Sequence, residues 1–211
     1  MMKRIVTILA SLSLAFFILT SSVMLTLSIK QTYRLSKEDI VQVEYNLTDQ
    51  QIDKNYNNLI DYMFAGSEAT LKFDTLPMSP QGEFHFMEVK NLFKFAFFGM
   101  ILSGVIALVC GAYLISQRNF LFLTKGSILV FIIPAILSIP VLINFNATFI
   151  KFHELVFSND YWIFDPRVDP IIRYLPESLF LKNTLIILWF IVLWVVLIQL
   201  FRRYTQKTWS L

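Results

Sequence analysis

Two histidines, His85 and His153, are the only side chains of their type in this chain. Histidine is the one residue whose unperturbed pKa lets it exchange protons near neutral pH. Each lies in a polar stretch beside an apolar run. His85 sits in "SPQGEFHFMEVKN" (79–91) and His153 in "TFIKFHELVFSNDYW" (148–162). On a helix His85 shares a face with Glu88 and Val89, so Glu88 could orient the ring or raise its basicity. Lys90 and Lys94 could meet lipid headgroups. Both histidines could share a zinc ion with Glu88 or Asp160, but a widely spaced pair is a weak metal pattern. A lone histidine is also more often structural than catalytic. The chain has no G-x-S-x-G elbow, P-loop, G-x-G-x-x-G or H-E-x-x-H. His153-Glu154 opens like the last of these, but no second histidine follows. The single cysteine, Cys110, excludes an internal disulfide and a cysteine-based zinc site. It reads as a small apolar residue.

The elements that position these residues are membrane helices. The chain is 56% hydrophobic and 16% charged, against about 25% charged in a soluble domain. Uncharged runs cover 5–29, 95–115, 128–145 and 184–201, and about 17 to 25 apolar residues cross a bilayer as a helix. The first run follows Lys3-Arg4 as a signal peptide would. It is too long for a signal h-region and has no A-x-A end, so it reads as a retained anchor. The spans hold no Asp, Glu, Lys, Arg or His, which argues against an ion-coupled transporter. Pro134 and Pro140 are expected to kink the third span. Lys3, Arg4, Arg118, Lys125, Arg202, Arg203 and Lys207 mark three segments without acids, and all 15 Asp and Glu residues lie in the other two. The positive-inside rule then puts both termini in the cytoplasm.

The expected fold is α-helical and membrane-embedded, four transmembrane helices with a small mixed extracytoplasmic head built from two loops. The expected order is tail and first span 1–29, outer segment 30–94, span 95–115, cytoplasmic loop 116–127, span 128–145, outer segment 146–183, span 184–201 and cytoplasmic tail 202–211. Within the head, Val41, Val43 and Tyr45 alternate as in a short strand, and "ATLKF" (69–73) reads as another. Thr48 and Gln51 fit a capping box for a helix through Ile52, Tyr56, Leu59 and Met63, with Gly66 as its stop. Ser79-Pro80 reads as an N-cap and first turn of a helix running into the second span. Asp169-Pro170 could cap a short helix. The aromatics Phe152, Phe157, Tyr161, Trp162 and Phe164 read as an interfacial belt or as pocket walls. Two sequons, Asn46-Leu47-Thr48 and Asn146-Ala147-Thr148, matter only in a glycosylating host.

Three stretches carry a resemblance: "YNNLIDYM" (56–63), "HFMEVKNLF" (85–93), and "FHELVFSNDYWIFDP" with "DPIIRYLPESLF" (152–180). With four spans and outward loops, the chain resembles the lipoprotein intramolecular transacylase family of Gram-positive bacteria. The family pattern His-Met-x-Asp-Val-Lys reads His-Phe-Met-Glu-Val-Lys here, with Glu88 in place of the shorter aspartate.

The resemblance implies an acyltransferase of the cell membrane, active on its extracytoplasmic side. Its substrate would be the diacylglyceryl-modified N-terminus of a lipoprotein. The sn-2 acyl chain would move to the α-amine of the N-terminal cysteine, giving the lyso form. Because the substrate supplies the nucleophile, no enzyme Ser or Cys is needed. The amine has a pKa of about 8 and must lose its proton. Direct attack closes a ring of about eight atoms, which needs both ends held close. His85 is expected as general base and returning acid, with His153 polarising the carbonyl or orienting the substrate. The reverse assignment and an acyl-histidine intermediate stay open. Glu88, Tyr62, Asp160, Trp162, Asp165 and Arg173 are candidates for orienting substrate or a histidine, as is Asp169. Asp160, Asp165, Asp169 and Arg173 fit a loop cap or surface pair better, and Tyr62 and Trp162 fit core or interface better. No cofactor, metal or nucleic acid is expected. Membrane lipid is the surrounding partner, and the expected state is a monomer. The alternatives are a non-enzymatic membrane scaffold or sensor with an outer binding head, and a metal-dependent lipid hydrolase.

Overall fold

The computed structural model describes residues 1–40 and 47–208. The expected strand at Val41, Val43 and Tyr45, and Asn46 of the first sequon, lie outside the described residues. In chain order the elements are α1 (Met2–Ser28), a 3₁₀ segment (Lys30–Asp39), α2 (Asp49–Phe64), α3 (Pro80–Ser116), α4 (Leu121–Leu129), α5 (Ile132–Ile143), α6 (Phe145–Val156), a second 3₁₀ segment (Pro170–Tyr174) and α7 (Glu177–Thr208). Four stretches are long and apolar enough to cross a membrane: Met2–Ser28, Pro80–Ser116, Leu121–Val141 and Glu177–Thr208. The chain divides into two compact units. One comprises Met1–Thr26, Ala96–Ile139 and Leu185–Leu211, the other Leu27–Phe95 and Pro140–Thr184.

The first unit packs around Ala10, Leu14, Ile18, Ala107, Leu114, Phe122 and Ile191. Apolar lipid gives little drive for helices to associate, so close approach and dispersion matter more. Glycines provide that approach. The Phe17 ring lies 3.0 Å from where a Cβ of Gly104 would sit, and Leu14 lies 2.9 Å from that of Gly126. The hydroxyls of α1 bond back into their own helix, Ser11 to the Thr7 carbonyl and Ser22 to that of Ile18, both at 2.7 Å. They need no water. Gln199 donates to Ser127 Oγ at 2.8 Å and ties α7 to α4.

One local detail differs from the sequence expectation and another follows it. The segment 116–127, expected as a loop, is mostly helix. Arg118 adopts a left-handed conformation with φ 52°, and Asn119 N–H bonds the Leu114 carbonyl at 2.9 Å while Arg118 N–H bonds that of Ile115. This Schellman turn closes α3 at once, and the Asn119 side chain accepts from Leu121 N–H to start α4. The third span is interrupted at Val130 and Phe131. Pro134 has no N–H, and its ring excludes the carbonyl four residues back, that of Val130.

The second unit has its own core: Tyr33, Tyr56, Leu59, Met63, Leu71, Phe86, Ile171, Tyr174 and Leu179 among others. Tyr33 stacks on Tyr56 with centroids 4.0 Å apart and donates its hydroxyl to the Tyr174 carbonyl at 2.6 Å. The Thr48–Gln51 capping box starts α2 as the sequence indicates. Gly66 follows the helix end without a positive φ. Its carbonyl serves instead, accepting from Lys90 Nζ at 2.7 Å.

Residues 69–73 are irregular, and the described residues contain no strand. The expected strand finds no ladder partner because side chains of α2 take the backbone groups that follow. Asn58 donates to the Lys72 carbonyl, and the buried Asn55 accepts from Asp74 N–H at 3.0 Å.

Ser79 caps α3 by accepting from Gly82 N–H at 2.9 Å. Asp169, expected to cap its own short helix, makes no such bond. Its buried carboxyl crosses to Ser79, accepting from the N–H at 2.7 Å and the hydroxyl at 2.6 Å. A Cβ at Gly82 would lie 2.5 Å from Asp169 Oδ1 and 3.1 Å from the Phe164 ring. Gly82→Ala must therefore push that pair aside, costing about 1–3 kcal/mol. The expected result is a lower unfolding temperature than Gly66→Ala, whose Cβ position is open; equal unfolding temperatures would refute the close packing.

Candidate active site

α3 and α6 each bring one histidine into the core of the second unit. His85 lies on the second turn of α3, before the uncharged run that begins at Phe95, and is 5% exposed. His153 lies near the end of α6 and is 8% exposed. Their ring centroids are 5.9 Å apart. Phe157, the first residue after α6, touches both, at 4.8 Å from His85 and 5.5 Å from His153. Phe164 lies 5.5 Å from His85. Phe149, Trp162 and Phe152 surround His153 at 4.0, 4.9 and 5.4 Å.

The His153 ring has a defined orientation. Its Nδ1 lies 2.7 Å from the carbonyl oxygen of Phe149, one turn back on α6. A carbonyl only accepts, so Nδ1 carries the proton, and Nε2 of the neutral ring carries the lone pair. His85 Nδ1 is buried without a partner among the described residues.

Burial sets the protonation state. Moving a charged imidazolium into apolar surroundings is unfavourable. Burial, with the adjacent His153, pushes the pKa of His85 down from 6.5 to about 4. Burial also lowers that of His153, opposed by the bond to Phe149. Both rings are neutral at physiological pH.

The other sequence candidates divide into those near the pair and those away from it. Glu88 is half-buried; its Oε1 accepts from Asn159 Nδ2 at 2.9 Å, and its Oε2 has no partner among the described residues. That bond fastens α3 to the loop carrying Phe157, Trp162 and Phe164. Trp162 stands against His153, and its Nε1 is likewise buried without a partner. Tyr62 is buried in the core beneath Lys90, whose Nζ lies 4.1 Å from the ring centroid. Lys90 is thus buried and paired rather than reaching toward headgroups. Asp160 is exposed and contributes a turn carbonyl to Ile163 N–H. Asp165 forms an exposed pair with Arg167, which pulls its pKa down to about 2. Arg173 is exposed. Among the described residues none of these last three hydrogen-bonds either ring.

Sequence reading missed Asn159 and the carbonyl of Phe149. "SNDYW" does signal the turn, and Asn159 accepts from Tyr161 N–H within it. Nothing local signals a partner 71 positions away. Among the described residues no three His, Cys, Asp or Glu side chains converge to hold a metal, and neither histidine bonds a Ser, Thr or Cys side chain.

The lowered His85 pKa has a consequence for stability. Below pH 6.5 the unfolded chain takes up a proton at this residue, while the folded chain resists until about pH 4. The unfolded state then binds more protons, so stability is full above pH 6.5 and falls toward pH 4, by on the order of 3 kcal/mol. Unfolding midpoints measured across this range should drop less in His85→Phe than in the wild type; parallel curves would contradict the assignment.

Comparison with known proteins places the chain in a family. A family model described as lipoprotein intramolecular transacylase Lit matches residues 8–180. The solved structure of the membrane integral lipoprotein intramolecular transacylase Lit from Bacillus cereus is 37% identical, with a TM-score of 0.90 over 99% of this chain and 98% of that one. A second structure of that protein, with an H85R mutation, gives 36% identity and a TM-score of 0.88 over 99% and 94%. A third, with an H85A mutation, gives 37% and 0.87 over 99% and 96%. No curated protein matches. The chain is a membrane-integral acyltransferase that belongs to the lipoprotein intramolecular transacylase family.

Proposed function

We propose that this protein moves the sn-2 acyl chain of a diacylglyceryl lipoprotein to the α-amine of its N-terminal cysteine. The product is a lyso lipoprotein with one acyl chain on nitrogen and one on glycerol. The observation that carries this reading is the buried histidine pair, to which no Ser, Thr or Cys side chain is hydrogen-bonded among the described residues. Such a site has bases but no nucleophile of its own, and this substrate brings one. The charge distribution along the chain supports a site on the extracytoplasmic side, with both termini in the cytoplasm.

The tautomer favours His153 as base. Its Nε2 lone pair is free to take the proton from the amine as the nitrogen attacks, while the Phe149 carbonyl supports the charge gained at the ring. The imidazolium then returns that proton to the departing glycerol oxygen. His85, whose pKa is pushed down by burial and by the adjacent His153, serves as a neutral hydrogen-bonding group that orients the ester. This reverses the order of roles that the sequence suggests first. The aromatic walls exclude water, which would otherwise hydrolyse the ester.

The test is expression in a host whose lipoproteins carry diacylglyceryl, followed by mass spectrometry of the N-terminal lipopeptide. An acyl chain on nitrogen and one fewer on glycerol is the expected result; an unchanged lipopeptide beside well-expressed protein excludes the reading. With purified protein, His153→Ala should lower turnover by about 10²- to 10⁴-fold. His85→Ala should also reduce it. If only the His85 variant is impaired, the two roles are exchanged.

A further inference from the structure

We propose that the indole Nε1–H of Trp162 donates the hydrogen bond that holds the negative charge developing on the acyl carbonyl oxygen. This rests on the acyl-transfer reading above.

Attack on an ester pushes an electron pair onto its carbonyl oxygen, and a site for this chemistry needs a donor aimed at that oxygen. Three buried polar atoms near the histidines lack partners among the described residues: His85 Nδ1, Glu88 Oε2 and Trp162 Nε1. Glu88 Oε2 is an acceptor when ionised, and His85 Nδ1 can act either way. Only the indole nitrogen is an obligate donor. A buried donor without an acceptor is costly, and buried donors are nearly always satisfied, so this N–H is explained by a ligand oxygen.

Its position fits. Trp162 lies 4.9 Å from His153, on the ring whose Nε2 takes the proton. The other rings around His153 are Phe149, Phe152 and Phe157. A fourth phenylalanine would serve as an apolar wall, and what tryptophan adds is the N–H. Lys90 is committed to the Gly66 carbonyl and Tyr62, Arg167 to Asp165, and Lys151 to Glu154. In dry aromatic surroundings a single donor acts strongly on a developing charge.

The step balances. The amine nitrogen bonds to the carbonyl carbon, its proton passes to His153 Nε2, and the carbonyl pair moves to the oxygen held by Trp162. The pair returns as the carbon–glycerol oxygen bond breaks, and the glycerol oxygen takes the proton back from His153.

The test uses the purified full chain with a synthetic diacylglyceryl lipopeptide, product formation being followed by mass spectrometry. Trp162→Phe should lower kcat by about 10²-fold and leave KM unchanged. A second variant replaces Trp162 with benzothienylalanine, which keeps the ring size and lacks the N–H. It should show the same loss with an unchanged unfolding temperature. Full turnover in either variant overturns the proposal, as does a loss confined to KM. If the wild type itself makes no N-acyl product, the acyl-transfer reading fails instead, and this inference with it.

Discussion

The bonds between Asp169 and Ser79 join the two chain segments that carry the histidines. One carboxyl oxygen takes the N–H at the cap of α3, and the other takes the hydroxyl that also caps the helix. Both bonds are removed from water, and away from water a hydrogen bond is electrostatically stronger. Gly82 makes the approach possible, because no side chain stands between α3 and the carboxyl. Phe164 packs at the same place and reaches His85 and Phe86. The start of α3, the loop after α6 and the wall of the site are thus set by one contact. The Glu88–Asn159 bond holds the same two segments together further along α3.

Desolvation then governs the chemistry. The rings of Phe149, Phe157, Trp162 and Phe164 keep the imidazoles apolar, and an apolar site favours the neutral form. Neutral imidazole is the form that can accept a proton. The same dryness strengthens any hydrogen bond made to substrate. Within this box the Phe149 carbonyl selects one His153 tautomer, so which ring nitrogen carries the lone pair is determined by a backbone group that no substitution at position 149 would remove.

The two units solve different problems of polarity. In the first, hydroxyls of α1 are satisfied by their own helix and glycines let neighbouring helices touch. In the second, Asn55, Asn58, Lys90 and Asp169 satisfy loop backbone that no ladder covers. A loop-rich unit can be well ordered only if its backbone groups find such partners.

The sequence by itself determined the four spans, the helix starts at Thr48 and Ser79, and the two histidines as the candidates for proton transfer. These rest on local signals: run length, capping residues and the scarcity of one residue type. It also raised an aromatic belt without deciding its use, and the structure divides it. Phe157 and Phe164 turn inward beside the rings, while Tyr161 stays exposed against Phe84. Only the tertiary structure decided that His85 and His153 meet, that Asp169 serves the distant Ser79 rather than its own helix, and that residues 69–73 lie outside any strand. Each of these depends on a partner far along the chain. Local propensity has no term for such a partner, because side chains separated in sequence meet only when packing closes the space between them.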